Sequence, residues 1–285
     1  MHTYAGSATT SPRATRCNAL DPGGLIPVVA PARPAHTRHV HHDTIMFDAG
    51  AATSTGNRRL ANEDSHVVDE RFCLVADGMG GHVAGGVASS VAAAEIARHL
   101  AGATVIEESM LHRAVEVAHR QILRRAVLDD TDGMGTTVVL AAIACTQDGS
   151  PAIAIAHVGD SRCYRFAGGE LELVTADHSL VHELVRSGRC SVDEAAAHPM
   201  ANVITRAVGV EQLALAEVTM LEARHCRLLL CSDGLSDELP TRTIGRVLAG
   251  IVDPQAAAAR LVELALAGEA RDNVTAVVID VVPTS

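Results

Sequence analysis

Residues 136–162 read TTVVLAAIACTQDGSPAIAIAHVGDSR. Two apolar runs, Thr136–Cys145 and Ala152–Val158, lack hydrophobic–polar alternation, the pattern of strands buried on both faces. Between them, Gln147-Asp148-Gly149-Ser150-Pro151 is dense turn chemistry. The second run exits into Gly159-Asp160-Ser161. The same form recurs at Val75-Ala76-Asp77-Gly78, after Phe72–Ala76, and at Cys231-Ser232-Asp233-Gly234, after Arg227–Cys231. Arg271-Asp272-Asn273 precedes a last strand over Val274–Val281, and Asn62-Glu63-Asp64 precedes another extended run. One Asp-Gly after a strand is ordinary turn chemistry. Acids at so many strand ends form a pattern.

Working outward, helical spacing covers Val83–Leu100 and Glu107–Leu128. Further helices are expected near Thr241–Gly250 and Pro254–Ala267, the latter opened by Asp253-Pro254. One more strand is read over Leu213–Met220. Residues 180–202 break the strand rhythm: a short helix, a stop at Ser187-Gly188, then Ser191-Val192-Asp193-Glu194, a capping-box pattern. This stretch reads as a helical flap inserted between strands. Helices packed over sheets, not a doubly wound alternation, follow from this order.

Composition narrows the function. The chain has 285 residues and a net charge of −11, and all 23 basic residues are arginine. Without lysine there is no phosphate-binding loop ending in Gly-Lys, no kinase strand lysine and no Schiff base. Only five residues are aromatic (two Tyr, three Phe, no Trp), which excludes nucleic-acid binding by base stacking or by a net basic surface. No apolar run approaches the roughly 20 residues of a membrane helix, and no secretory signal stands at the N-terminus. Seven cysteines without a Cys-x-x-Cys pair fit a reduced, cytoplasmic protein with thiols used for packing. His225-Cys226 is not a cysteine-phosphatase site, because the position where a phosphate-cradling arginine would stand is Ser232.

Residues 1–45 hold five of the ten prolines and five of the fifteen histidines without an apolar period. They are expected to be a disordered Pro/His-rich extension, with a catalytic domain over 46–285. Met46 stands where the periodic pattern begins and reads as an alternative start.

Should antiparallel strands gather the acids at one rim, like charges about 4 Å apart would cost about 4 kcal/mol at an effective dielectric of about 20. Such a cluster takes up protons or holds cations. Oxygen ligands without paired His or Cys favour Mg2+ or Mn2+. Two ions about 3.5–4 Å apart polarise a phosphoryl oxygen and acidify water, and they reverse a field that would repel phosphate.

In chain order the motifs are Gly56-x-x-Arg59-x-x-Asn62-Glu63-Asp64, Asp77-Gly78-Met79-Gly80-Gly81-His82, Met134-Gly135-Thr136-Thr137 and Val158-Gly159-Asp160-Ser161-Arg162. They continue with Asp177-His178-Ser179, Ile204-Thr205-Arg206-Ala207-Val208-Gly209, Ser232-Asp233-Gly234-Leu235 and Arg271-Asp272-Asn273-Val274-Thr275. This ordered set resembles the metal-dependent protein phosphatases of type 2C, in their bacterial form, over essentially all of residues 46–283.

The resemblance implies an α+β fold, a four-layer α-β-β-α sandwich of two antiparallel sheets flanked by helices, with a binuclear Mn/Mg site between the sheet ends. By position, Asp77 would bridge both ions and the Gly78 carbonyl would bind one. Asp233 and Asp272 would complete the second, and Glu63 and Asp64 would act directly or through waters. Asp160, with Asp233, matches the place of a weaker third ion. Arg59, four residues before Glu63, would clamp phosphate, and Asn273 would orient a metal-bound water. His82 has two readings, general acid or anchor of the following helix, since the histidine of animal relatives stands where this chain has Met79. The implied activity is hydrolysis of phosphoserine and phosphothreonine on proteins by direct attack of a metal-bound hydroxide. The enzyme would be a cytoplasmic monomer, without membrane or nucleic-acid partners, opposing a Ser/Thr kinase.

Two other readings stay open: a phosphatase of anti-anti-sigma regulatory phosphoproteins, and a non-catalytic pseudophosphatase that binds phosphoproteins. Retention of Asp77, Asp160, Asp233 and Asp272 argues against the second. Met134–Thr137 reads as the start of a core strand, and Asp177-His178-Ser179 with Thr205-Arg206 as braces of the flap. Arg162 and Arg206 are the next phosphate-side candidates.

Overall fold

Alternation along each strand decides how the layers stack. A computed structural model describes residues 45–80, 84–103, 106–131, 133–146, 149–196, 198–210 and 215–283. The extension expected over 1–45 lies outside them, Ile45 apart. The first half contains β1 (Ile45–Ser54), β2 (Ser65–Val68), β3 (Phe72–Ala76), β4 (Gly78–Met79), α1 (Ala84–Leu100) and α2 (Glu108–Asp129). Then come β5 (Gly135–Thr136), β6 (Val138–Cys145), β7 (Pro151–Val158), β8 (Arg162–Ala167), β9 (Glu170–Leu173), α3 (Leu180–Arg186) and α4 (Val192–Ala196). The chain closes with β10 (Glu217–Glu222), β11 (Arg227–Cys231), α5 (Asp233–Ser236), α6 (Thr241–Gly250), α7 (Pro254–Leu266) and β12 (Val274–Pro283).

The first sheet runs β1-β12-β11-β8-β9 and the second β10-β7-β6-β3-β2, while β4 and β5 form a separate two-stranded ladder. Neighbouring strands in both sheets are antiparallel. Successive side chains point to opposite faces, so one strand serves two cores. Val75, Val139, Ile155, Leu230 and Val277 meet between the sheets. Their neighbours Leu74, Leu140 and Ala156 lie under α1 and α2, and Leu229, Ala276 and Val278 under α6 and α7. The unalternating runs read from sequence therefore face apolar layers on both sides, each fully buried Val, Leu or Ile contributing about 1.5–3 kcal/mol. The four-layer α-β-β-α sandwich is the observed fold.

Several boundaries differ from expectation. The strand read over Thr136–Cys145 is two: Gly135–Thr136 pairs with β4, and only Val138–Cys145 joins the sheet. The strand read over Leu213–Met220 runs over Glu217–Glu222, where β7 offers partners from His157 to Ala152; residues 211–214 are outside the described set. Gly168 and Gly169, at φ +61° and +87°, turn the β8–β9 hairpin. Both predicted caps form: Asp253 accepts the Ala256 N–H at 2.8 Å, and Ser191 and Glu194 cap reciprocally at 3.3 and 2.8 Å. Among the described residues no helix is long and apolar enough to cross a membrane.

Candidate metal centre

The acidic strand ends converge at one edge of the stacked sheets. Asp64 precedes β2, Asp77 follows β3 and Asp160 follows β7, all in the second sheet. Asp272 precedes β12 and Asp233 follows β11 in the first. Asp233 is not in a plain turn; it opens α5, where a Cβ on Gly234 would lie 2.1 Å from the Asn273 carbonyl oxygen. Glycine there lets α5 sit directly on the Asp272-Asn273 segment.

Burial and gathered charge oppose ionisation of Asp64, Asp77, Asp160 and Asp233. Burial first, then Asp64, Asp233, Asp160 and Asp272 around it, holds Asp77 well above the usual carboxylate range. Burial, then Asp160, raises Asp233 to about 8. Asp64 and Asp160 both rise to about 6, again mainly through burial. Three buried oxygens, Glu63 Oε1, Asp64 Oδ1 and Asp233 Oδ1, have no hydrogen-bond partner. A buried acceptor left unpaired costs about 1–3 kcal/mol, so native proteins rarely leave several in one place without a bound ion. The donor set is oxygen throughout. These residues fit hard divalent cations, and the fold gathers them at one rim.

Backbone contacts fix the acids. Thr137 N–H and Thr136 Oγ1–H both donate to the Asp77 carbonyl at 2.8 Å, and Asp77 N–H donates to Thr137 Oγ1 at 3.1 Å. Met134-Gly135-Thr136-Thr137 is thus more than a strand start: its hydroxyls hold the aspartate at the centre of the cluster. Gly78 has no room for a side chain, since a Cβ would lie 2.2 Å from the Gly85 oxygen and 2.7 Å from the Glu63 oxygen.

The other predicted residues divide. Arg59 Nη2 pairs with Asp272 Oδ2 at 2.5 Å, which raises its pKa, and half of its side chain is exposed. Asn273 is buried and its amide is spent on the protein. Its Nδ2 donates to the Thr55 and Ala61 carbonyls, both at 2.9 Å, and its Oδ1 accepts the Glu63 N–H at 2.8 Å. Both amide hydrogens are used by the protein, while Oδ1 keeps one lone pair able to accept from a water; these bonds pin the loop carrying Arg59 and Glu63. Arg162 is likewise committed, forking onto Asp177 at 2.6–3.2 Å. Arg206 lies 3.7 Å from Glu217. Of the two, only Arg162 is firmly held by a carboxylate. His82 lies outside the described residues, as do Gly81 and Val83.

The flap is closed at its base by a bridge between Ser179 and Ile204, with Leu180 N–H donating to the Val203 carbonyl and Thr205 N–H to the His178 carbonyl. A cavity of about 410 Å3 touching Asp233 and Asp272 and a groove of about 710 Å3 from Asp160 to Val181, Val185 and Val192 meet at Asn202 on the flap. The buried thiols are held protonated: burial pushes Cys73 and Cys231 up to about 12 and raises Cys163 and Cys226.

Compared with known proteins, residues 52–265 match the family described as protein phosphatase 2C. The chain belongs to that family. It is 40% identical over 245 residues to the serine/threonine protein phosphatase PstP of Mycobacterium tuberculosis, covering 84% of this chain and 46% of PstP. It therefore spans about half the length of that relative. It is 38% identical over 208 residues to the serine/threonine phosphatase stp of Listeria welshimeri, covering 69% of this chain and 81% of the relative. A crystal structure of the PstP catalytic domain in complex with two manganese ions aligns with a TM-score of 0.75 at 38% identity, over 84% of this chain and all of that one. The family assignment and the independent geometry of the carboxylates agree on a metal-dependent site.

Proposed function

We propose that this chain is a metal-dependent protein serine/threonine phosphatase acting on phosphoserine and phosphothreonine, opposing bacterial Ser/Thr kinases in the cytoplasm as a monomer. The observation that carries the reading is the set of buried, partnerless carboxylate oxygens on Glu63, Asp64 and Asp233 gathered at one rim. The PstP catalytic domain, with its two manganese ions, supports a binuclear Mn2+ or Mg2+ centre here.

In this reading Asp77, the Gly78 carbonyl, Asp233 and Asp272 would hold two ions, helped by Glu63 and Asp64, and Asp160 would serve a weaker third. Bound divalent ions supply charge neutralisation and activated water for in-line displacement at phosphorus. Arg59 leaves Asp272 for the phosphoryl oxygens, its planar fork matching two of them. Asn273 keeps the Arg59 loop in place. His82 is the candidate acid for the leaving Ser/Thr oxygen, and an unchanged rate and pH profile in His82→Ala would exclude it.

Purified protein should hydrolyse a phosphothreonine peptide with added Mn2+ and stop with EDTA. Arg59→Ala should raise KM for the peptide more than it lowers kcat. Turnover that persists in EDTA-stripped protein would refute the proposal.

A further inference from the structure

Asp64 is held from one side only. Its Oδ2 accepts Ser232 Oγ–H at 2.8 Å and Thr275 Oγ1–H at 2.6 Å, whereas its Oδ1 is buried without a partner. Thr275 Oγ1 lies 2.7 Å from Thr53 Oγ1, and Asn62 Nδ2 donates to Thr53 Oγ1 at 2.8 Å. Asn62 Oδ1 in turn accepts the Asp64 N–H at 3.1 Å. The chain of bonds closes on itself.

Its direction is dictated by the two ends. A carboxylate only accepts and an amide NH2 only donates. The Thr275 proton is given to Asp64, so Thr275 must accept from Thr53, and Thr53 must accept from Asn62. Every hydroxyl is thereby used once as donor, and the circuit runs Asn62 to Thr53 to Thr275 to Asp64. Ser232 and Thr275 are fully buried and Thr53 nearly so, which leaves water no place in it. Thr53 and Thr275 face each other across β1 and β12, and Ser232 accepts the Thr275 N–H at 3.0 Å. Thr53 and Thr275 belong to the first sheet, and Ser232 directly follows its strand β11. Asp64 leads into β2 of the second.

We propose that Thr53, Ser232 and Thr275 are positioning residues for the metal centre: Ser232 and Thr275 engage Asp64 Oδ2 from the side of the opposite sheet, Thr53 sets the direction of the Thr275 hydroxyl, and Oδ1 is left as the one oxygen offered to a cation. The inference rests on the metal-dependent reading above and extends it to residues outside the predicted ligand set. Two of the acidic motifs supply these hydroxyls, Ser232 beside Asp233 and Thr275 beyond Asp272. Side chains that orient a ligand in this way change metal affinity about 10–100-fold when removed.

The test is calorimetric titration of Mn2+ into EDTA-stripped full-length protein. Thr275→Val keeps the β-branched shape and loses the donor. It is expected to weaken Mn2+ binding about ten-fold, and Thr275→Ser to restore it. Wild-type affinity in a folded Thr275→Val overturns the proposal. Where circular dichroism finds Thr275→Val unfolded, Ser232→Ala decides by the same titration, expected weaker binding against unchanged binding. Hydrolysis of p-nitrophenyl phosphate is followed alongside. Wild-type protein that binds Mn2+ without any turnover defeats the proposed activity while the variants still judge the positioning. An active wild type with unaltered Mn2+ binding in both variants defeats the positioning alone.

Discussion

Gly159 and Asp160 are consecutive residues that belong to opposite kinds of polar cluster. The Gly159 N–H donates to His178 Nδ1 at 3.1 Å, at the base of the flap. There the polar groups are matched: Arg162 forks onto Asp177, His157 Nε2 bonds the Ala176 carbonyl at 2.9 Å, and Glu217 is approached by His178 and Arg206. The Asp160 carboxylate faces the rim, where burial first and like charge second oppose ionisation and oxygens of Glu63, Asp64 and Asp233 lack partners. His157, His178 and Glu217 also lie within ligand-sharing distance, their atoms within 4.8 Å of one another. Yet His178 Nδ1 is occupied, which leaves the proton on Nε2, the atom an ion would need. The stacked imidazoles, 4.6 Å apart, are architecture. What separates a ligand site from a brace is therefore the pairing of its polar atoms, not its residue types.

The sharpest way to break this contrast is to neutralise the rim. Asp77→Asn or Asp233→Asn should lower p-nitrophenyl phosphate turnover roughly a thousand-fold, the loss of several kcal/mol of metal assistance. The EDTA-treated variants should melt no lower than EDTA-treated wild type, since a destabilising charge has been removed. A lower melting temperature would mean the acids are structural.

Next in size is the coupling between metal and pH. Asp64 and Asp160 (about 6) and Asp233 (about 8) have folded values above the unfolded carboxylate range. Their contribution to stability is full below about pH 4 and is lost as pH rises through the folded values. Metal-free protein should accordingly melt at progressively lower temperature from about pH 5 to about pH 8. Mn2+ at about 100 times its Kd should restore about 2.7 kcal/mol, or about 5–10 °C, with the largest gain at the alkaline end. Calorimetric melts with and without EDTA check both signs.

The brace should behave in the other manner. Arg162→Met strands a partly buried Asp177 and should cost about 1–3 kcal/mol, equally in metal-loaded and metal-free protein. A penalty seen only with Mn2+ would move Arg162 into the metal cluster. Smallest of all, Ser191→Ala removes the capping box of α4 and should cost about 1 kcal/mol, read as faster amide exchange confined to the flap.

Local chemistry made much of this legible from sequence. β6, β7, α6 and α7 were readable because apolar runs end in strong punctuation, Gly149-Ser150-Pro151 or Asp253-Pro254. The ordered acidic motifs, read by family resemblance, pointed to one rim. The β8–β9 hairpin escaped because Arg162, Arg165, Glu170 and Glu172 dilute its apolar pattern, even with Gly168-Gly169 at its tip. Asp233-Gly234 read as a turn because a four-residue helix has no period to detect. Arg162 reads as a phosphate-side candidate because a sequence shows which polar groups exist, not which are already paired, as Arg162 is with Asp177. The hydroxyl circuit was hidden for the plainest reason: Thr53 and Thr275 are separated by 222 positions.

That the carboxylates come from both sheets has a mechanical corollary. The sheets resemble facing pages glued across their middles by Val75, Val139, Leu230 and Val277, with the acids along the fore-edge. Chelation should let that margin gape while the glued centre holds, so that deuterium enters the backbone around residues 62–64 and 272–275 long before it reaches β6.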